Sequence, residues 1–267
     1  AAYAADTAGT IVLDNDEAVS VSGSVSVANA NTIAGKTSGV VTASIASGTY
    51  TALNALNETA NAYALSLSES ITVGEANTLN GKTAGVITAT ISTGASATLA
   101  GLNGTGNAYT ITVTDTSATA SALTTLDGKT TVAVTASAVT SLSGTATEVI
   151  AAYAADAATT IVLDGDEAVS VSGTVSVADA NTISGKTSGA VTATIATGSY
   201  TTLNGLNETN NAYALTLNET ISVANANTLD AKTTGVITAT ITSGNYAAVN
   251  ALNGTGNAYA VTVNDSI

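Results

Sequence analysis

The chain has 267 residues and a net charge of −14, with five lysines against 19 acidic residues, and it lacks proline, cysteine, methionine, tryptophan, phenylalanine and histidine. Phosphate backbones and anionic membrane surfaces are bound by clustered lysine or arginine, so this charge argues against nucleic acid and membrane surfaces as partners. No apolar run is long enough for membrane insertion, and without cysteine there is no disulfide framework or thiol redox chemistry.

Hydrophobic residues make up 45% of the chain, and tyrosine is its single aromatic residue type. Disordered sequences combine low hydrophobicity with high charge, so this composition predicts a folded chain. The core must be built from small and β-branched side chains, and the richness in threonine and valine favours strands. No signal peptide is recognisable. Because the chain opens and closes inside a repeat, we expect it to be a piece of a longer protein.

The chain contains nested internal repeats. Positions 1–117 align with positions 151–267 without a gap, and 82 of the 117 aligned residues are identical. A shorter motif recurs about every 23 residues, in two alternating kinds of unit. We therefore expect one continuous segment over 1–267, made of a super-repeat at 1–150 and an incomplete second copy at 151–267. All five lysines precede threonine and share one repeat position: Lys36, Lys82, Lys129, Lys186 and Lys232.

The first predicted element is an acidic turn within Ala1–Ser22, a stretch that the long repeat duplicates at Ala151–Ser172. Carboxylate oxygens in a turn with asparagine or glycine are ligands that suit Ca²⁺. The turn matches neither an EF-hand loop nor a glycine-rich calcium repeat, so the alternative is a solvated acidic turn. No cofactor is required by the sequence, and Ca²⁺ is the candidate ion. The candidate metal ligands are Asp14, Asp16, Glu17, Asp164, Asp166 and Glu167.

Period-two alternation predicts short strands further along each unit. Tyr63, Leu65 and Leu67 alternate with small residues, and the same pattern recurs at Val86–Ile91 and at 109–113. Turns rich in glycine and asparagine bound these runs, as at 103–107. Each predicted strand therefore has one buried face and one exposed face.

A different local pattern lies between the strands. Ala76–Gly81 reads Ala-Asn-Thr-Leu-Asn-Gly, a segment that can form a short helical turn ending on a left-handed glycine. The following Lys82 and Thr83 resemble the end of a phosphate-binding loop, but the upstream glycine of that motif is absent. We therefore expect the lysines at solvated corners, with Glu58 or Glu208 in the equivalent turn of the neighbouring unit.

A unit of 23 residues cannot bury an apolar face alone, but stacked units can. The sequence therefore predicts an all-β fold, a parallel β-solenoid (β-helix) of about ten coils with a period of about 23 residues and two alternating coil types. A leucine-rich repeat has a similar length, but its consensus is missing. Stacked β-sandwiches would need longer repeats and a more varied aromatic core.

Threonine pairs recur on the predicted outward face of the strands. Regular outward threonine on a flat face resembles ice-binding β-solenoids, whereas the simpler interpretation is that threonine suits an exposed strand position. The pairs are Thr42/Ser44, Thr88/Thr90, Thr110/Thr112, Thr135/Ser137, Thr192/Thr194 and Thr238/Thr240.

Three runs of the chain, at 76–91, 112–149 and 221–241, carry a resemblance to a known class of protein. They resemble the repeat tracts of giant secreted or surface-exposed bacterial β-solenoid exoproteins of the cyanobacterial type. The resemblance covers essentially the whole chain. It implies export, great length and a role in surface fibres, adhesion or motility, and it transfers no functional residue.

These observations predict a structural, non-catalytic module of an extracellular filament or giant surface adhesin. An enzyme is not expected, because histidine, cysteine and arginine are absent and the units are nearly alike. Open strand edges at both ends of a stack predict head-to-tail self-association into filaments. The alternatives are an ice-binding module that uses the threonine pairs and a Ca²⁺-dependent adhesive tract. The sequence identifies no surface or glycan ligand.

Overall fold

A computed structural model describes residues 2–57, 59–207 and 209–265. Strands and helices alternate through this part of the chain. The strands are β1 (Val19–Val25), β2 (Val41–Ile45), β3 (Ala62–Ile71), β4 (Ile87–Ile91), β5 (Ala108–Thr112), β6 (Ser117–Thr119), β7 (Val134–Thr135), β8 (Ser141–Thr145), β9 (Ile161–Val162), β10 (Ala168–Val175), β11 (Val191–Ile195), β12 (Ala212–Ile221), β13 (Ile237–Ile241) and β14 (Ala258–Ala260).

The helices fall between the strands and are four to twelve residues long. They are α1 (Ala2–Thr7), α2 (Val27–Ala34), α3 (Tyr50–Leu53), α4 (Val73–Asn80), α5 (Ser96–Leu99), α6 (Ala120–Asp127), α7 (Ala146–Ala157), α8 (Val177–Ser184), α9 (Tyr200–Leu203), α10 (Val223–Asp230) and α11 (Tyr246–Val249).

The predicted all-β class, a parallel β-solenoid, is wrong. The chain is an α/β protein with two seven-stranded parallel sheets and a helix in most of the connections between strands. The physical reason lies in segments such as α4. Thr72 caps its first turn, and Ala76 and Leu79 bury one side of it. A Ser or Thr cap followed by apolar residues three apart favours a helix over a strand corner.

The helical turn predicted at Ala76–Gly81 lies in the second half of α4. Its start is fixed by a capping box, in which Glu75 N donates to Thr72 Oγ1 at 3.3 Å and Thr72 N donates to Glu75 Oε2 at 2.8 Å. The predicted left-handed glycine at its end is wrong, because Gly81 has a φ of −74°.

The strand predictions hold locally. In β4 the residues alternate buried and exposed along the whole strand, which confirms the period-two interpretation of Val86–Ile91. The same alternation appears in β2, β11 and β13.

The chain divides into two compact units. The first comprises Ala1–Thr114, Thr125–Ala136 and Thr159–Val162. Its sheet has the strand order β1-β2-β3-β4-β5-β7-β9, and every neighbouring pair is parallel. Helices such as α4 and α5 provide the crossovers that parallel strands require.

The second unit comprises Asp115–Thr124, Ser137–Ala158 and Leu163–Ile267. Its sheet has the order β14-β13-β12-β11-β10-β8-β6, again with parallel neighbours. In each unit the inward strand residues and one side of each longer helix form the core. The boundary between the two sequence copies, at 150/151, falls inside α7.

Asparagine side chains on the longer helices hydrogen-bond to a loop of the next repeat unit. Asn77 on α4 donates from Nδ2 to Gly101 O at 2.8 Å and accepts from Asn103 N at 2.7 Å. The same pair of bonds recurs at Asn31, Asn181 and Asn227. Each asparagine therefore clamps the loop that lies one repeat unit later in the chain.

Candidate functional site

The acidic turns predicted to hold Ca²⁺ lie just before β1 and β10, one in each unit. The carboxylates of Asp14, Asp16, Asp164 and Asp166 belong to exposed residues. The two glutamates differ, since Glu17 is half-buried and Glu167 is fully buried.

Glu167 uses its carboxylate to hold the turn that carries it. Its Oε1 accepts from the backbone N–H groups of Asp164 and Gly165, both at 3.0 Å. Its Oε2 accepts from the Tyr153 hydroxyl at 3.1 Å. Both carboxylate oxygens therefore have donors from the protein itself, which offsets the cost of burying the charge.

Tyr153 reaches this carboxylate from α7. Burial raises the pKa of the Tyr153 hydroxyl, and the negative charge of Glu167 raises it further. The hydroxyl therefore stays protonated at neutral pH and acts as a donor to Glu167. The arrangement is a tyrosine–carboxylate pair that fixes a helix to a turn.

The first copy repeats the arrangement with looser contacts. Glu17 Oε1 accepts from Asp14 N at 2.9 Å, and the Tyr3 hydroxyl lies 3.5 Å from Glu17 Oε2. The six predicted ligands therefore lie in two environments. Both glutamates face a tyrosine hydroxyl, whereas the four aspartates are exposed. Within the described residues no group of three or more acidic side chains is placed to hold a metal ion. The Ca²⁺ prediction stays a prediction.

The sequence interpretation missed Tyr3 and Tyr153 as partners of the glutamates. A signal for them was present, because Ala-Ala-Tyr-Ala-Ala-Asp and Asp-Glu-Ala recur together at an offset of 150. It also missed Thr83, which follows Lys82. Thr83 Oγ1 is buried, accepts from Tyr63 N at 2.7 Å and from Gly85 N at 2.9 Å, and donates to Tyr63 O at 2.8 Å.

The lysines occupy two different environments. Lys82 Nζ donates to Leu56 O at 2.9 Å, and Lys232 Nζ donates to Leu206 O at 2.7 Å. Lys36 and Lys186 are exposed, and their ammonium groups make no hydrogen bond or ion pair with any described residue. The partners suggested by sequence, Glu58 and Glu208, lie outside the described residues.

The outward faces of both sheets carry the predicted threonine pairs. Thr90 pairs with Thr110 and Thr216 pairs with Thr238 across neighbouring parallel strands. Alanine interrupts the ranks, for example where Thr88 pairs with Ala108. The paired outward positions carry serine, threonine, alanine and a terminal valine, with no charged side chain.

Each sheet has two terminal strands with one strand neighbour, β1 and β9 in the first sheet and β14 and β6 in the second. At the β14 edge, Val261 and Val263 are exposed, although the equivalent Ile111 and Val113 of the first copy are buried. Ile11, which precedes β1 in the chain, is 44% exposed, whereas the equivalent Ile161 is 0% exposed. Residues at equivalent positions of the two copies are therefore buried in one copy and exposed in the other.

No helix in the described part of the chain is both long enough and apolar enough to span a bilayer. No family model, no curated protein and no solved structure matches the chain.

Proposed function

We propose that this chain is a structural, non-catalytic segment of an extracellular filament or giant surface adhesin, and that it associates head-to-tail through its β1 and β14 edges. One observation carries the proposal: side chains at these edges are exposed, while their repeat equivalents elsewhere in the chain are buried under a further strand. The extracellular setting rests on the resemblance to secreted repeat tracts.

The β14 edge shows what a covering strand does. In the first copy, β7 pairs with β5 in the register Ile111↔Val134, and Val113 N donates to Thr135 O at 2.9 Å. Val113 is then 1% exposed, whereas Val263 is 50% exposed. A strand added to β14 would bury Val263 and satisfy the open backbone groups of that edge.

The β1 edge shows the complementary situation. In the second copy, β10 is covered by β8 through five paired residues, from Ala168↔Ser141 to Ser172↔Thr145. The equivalent strand β1 has no strand on that side. Because β1 and β14 are different surfaces, a contact between them is head-to-tail, and such a contact produces filaments when its rotation does not close into a ring.

The first test compares wild type with a Val263→Lys variant by sedimentation velocity and negative-stain microscopy over a range of protein concentrations. Wild type should associate with increasing concentration and form linear particles. The added charge at β14 should abolish this association, because burying an unpaired lysine opposes strand pairing.

The matched control is Val86→Lys. Val86 is 50% exposed and lies just before β4, the middle strand of the first sheet. This variant introduces the same charge and should associate like wild type. Wild-type particles that stay monomeric at every concentration, or equal loss of association in both variants, would contradict the proposal.

Ice binding is a second candidate, favoured by the outward positions at which threonines pair in register; the exposed Glu69 and Glu219 lie in the bulges of β3 and β12. A flat face with regularly spaced hydroxyl and methyl groups is able to order water at an ice surface.

Thermal hysteresis measurements should show activity that Thr192→Lys on β11 removes. Thr228→Lys on α10, an exposed residue away from the sheet face, should leave it unchanged. Wild type without thermal hysteresis would contradict this candidate.

A further inference from the structure

A groove lies between α7 and the end of α8 in the second unit. Its volume is about 300 Å³, and its lining comprises Ile150, Tyr153, Ala154 and Ala157 from α7, with Thr182, Ile183 and Lys186 opposite. Tyr153 and Ile183 are buried and form its floor. Small alanine side chains on α7 leave the space open.

The same groove occurs in the first unit, at a volume of about 490 Å³. It is lined by Tyr3, Ala4, Thr7, Thr32, Ile33 and Lys36. Each of these residues lies 150 positions before a lining residue of the other groove, and Thr7 is the one that differs in type, facing Ala157 in the alignment. The groove is therefore a property of the repeat unit and recurs in both units.

The lysine at each groove differs from two lysines in the same repeat position, Lys82 and Lys232. In the repeat units before those of Lys82 and Lys232, the helix has four residues. The ammonium groups of both lysines donate to a backbone carbonyl. Lys36 and Lys186 follow the units that contain α1 and α7, and they have no such partner among the described residues. Each groove thus carries one ammonium group that is free to bind an anion.

The remaining lining is apolar or already satisfied. No acidic residue lines either groove. The Thr182 hydroxyl donates within its own helix to Ala178 O at 2.9 Å. The Tyr153 hydroxyl donates to Glu167. Each groove therefore offers one cationic donor beside an apolar floor, an arrangement that complements a ligand with one anionic head and an apolar body.

We propose that each groove binds a small amphipathic monocarboxylate, with its carboxylate on the ammonium group of Lys186 or Lys36 and its hydrocarbon part over Ile183 or Ile33. The volume sets the size of the ligand. Each non-hydrogen group in a liquid occupies roughly 30 Å³, by analogy with water, so the smaller groove accommodates about ten such groups. Octanoate is a suitable probe, and the site does not depend on filament formation.

The test is a titration of the full chain with octanoate, followed by ¹H–¹⁵N NMR under conditions where the chain is monomeric. Saturable shifts should appear at the amides of Ile183 and Lys186 and of Ile33 and Lys36, giving two sites per chain. Octylammonium, which has the same tail and the opposite charge, should produce no saturable shift there. A Lys36→Ala/Lys186→Ala variant should bind octanoate about two- to fivefold more weakly, the range expected for a solvent-exposed ion pair.

Two further variants make the result decisive. Lys82→Ala/Lys232→Ala removes the same number of charges from equivalent positions outside the grooves and should bind like wild type. Ala154→Leu fills the second groove at an exposed position and should abolish shifts at Ile183 while leaving those at Ile33. Equal weakening by both lysine pairs, or octylammonium binding as well as octanoate, would overturn the proposal.

Discussion

At the scale of single residues, buried polar groups in this protein differ in whether they have partners. Tyr153 and Tyr109 are both buried tyrosines. The Tyr153 hydroxyl donates to Glu167, whereas the buried Tyr109 hydroxyl has no hydrogen-bond partner among the residues that the structure describes. Removing a hydroxyl that satisfies a buried carboxylate costs stability, while removing an unsatisfied hydroxyl does not. The two tyrosines therefore form a matched pair for mutation.

Tyr153→Phe should lower the free energy of unfolding by about 1–3 kcal/mol, because Glu167 loses a donor while remaining buried. Tyr109→Phe should be neutral or slightly stabilising. Urea unfolding at pH 7 measures both. Equal losses in the two variants would show that Glu167 does not depend on Tyr153.

Tyr109 also predicts a response to alkaline pH. Burial raises the pKa of its hydroxyl from 10.0 to about 12. A group with a raised folded-state pKa contributes its full stability below the unfolded value, and that contribution is lost as pH rises from about 10 to about 12. The free energy of unfolding should fall over this range, and the fall should be shallower in Tyr109→Phe. Identical pH profiles for wild type and variant would refute this assignment.

At the scale of elements, side-chain hydrogen bonds fix where most of the helices begin and where several of the strands start. Thr83 lies between α4 and β4 and accepts two backbone N–H groups, from Tyr63 and Gly85. Thr88, one residue into β4, faces outward and is exposed. The two threonines differ in their hydrogen bonding as much as in their burial, so the same substitution should destabilise the protein at Thr83 and have little effect at Thr88.

Thr83→Val should lower the free energy of unfolding by roughly 2–5 kcal/mol, since it leaves two buried N–H groups without an acceptor at nearly constant side-chain volume. Thr88→Val should change it by less than about 0.5 kcal/mol. Chemical denaturation of both variants gives the comparison. A small effect at Thr83 would mean that backbone bonds, such as the one from Ala84 N to Asn61 O, hold the turn instead.

The start of α7 predicts a response to acid. Thr145 N donates to Glu148 Oε2 at 2.8 Å, and this bond, followed by the one from the Thr145 hydroxyl, lowers the pKa of Glu148 below 4.5. A lowered folded-state pKa stabilises the fold above the unfolded value and stops doing so as pH falls through the folded value. Glu148→Gln should therefore have a lower Tm than wild type at pH 6, and this difference should shrink as the pH falls through the folded-state pKa of Glu148. A difference that stays constant as the pH falls would contradict the assignment.

At the scale of the whole molecule, the proposed association must overcome repulsion between chains that each carry a net charge of −14. The contacts at β1 and β14 are apolar and backbone contacts, so salt should weaken the repulsion more than the attraction. The screening length falls from about 30 Å at 0.01 M salt to about 8 Å at 0.15 M. Added salt therefore acts mainly on the long-range charge repulsion between chains.

Association of wild type should increase when NaCl is raised from low to physiological concentration, as measured by sedimentation velocity. Val263→Lys should stay monomeric at both concentrations. Dissociation of wild-type particles by added salt would indicate that ion pairs, and not the open strand edges, hold the chains together.

Several properties of the protein were determined by the sequence alone. The nested repeats, the strand at Val86–Ile91 and the outward direction of Thr88 and Thr90 follow from spacing, because side chains of a strand alternate between its two faces. The recurrence of the acidic turn also follows from spacing. The all-β class did not follow from spacing, because a 23-residue repeat is compatible with helical and with extended crossovers between parallel strands.

The tertiary structure decided what spacing leaves open. Whether Glu167 holds a metal ion or a tyrosine depends on α7, which the chain places beside the acidic turn from fourteen residues away. Whether a lysine donates to a backbone carbonyl or borders a groove depends on the helix in the preceding repeat unit. Identical motifs acquire different environments because burial and hydrogen bonding are set by neighbours in space, which a repeat in sequence does not specify.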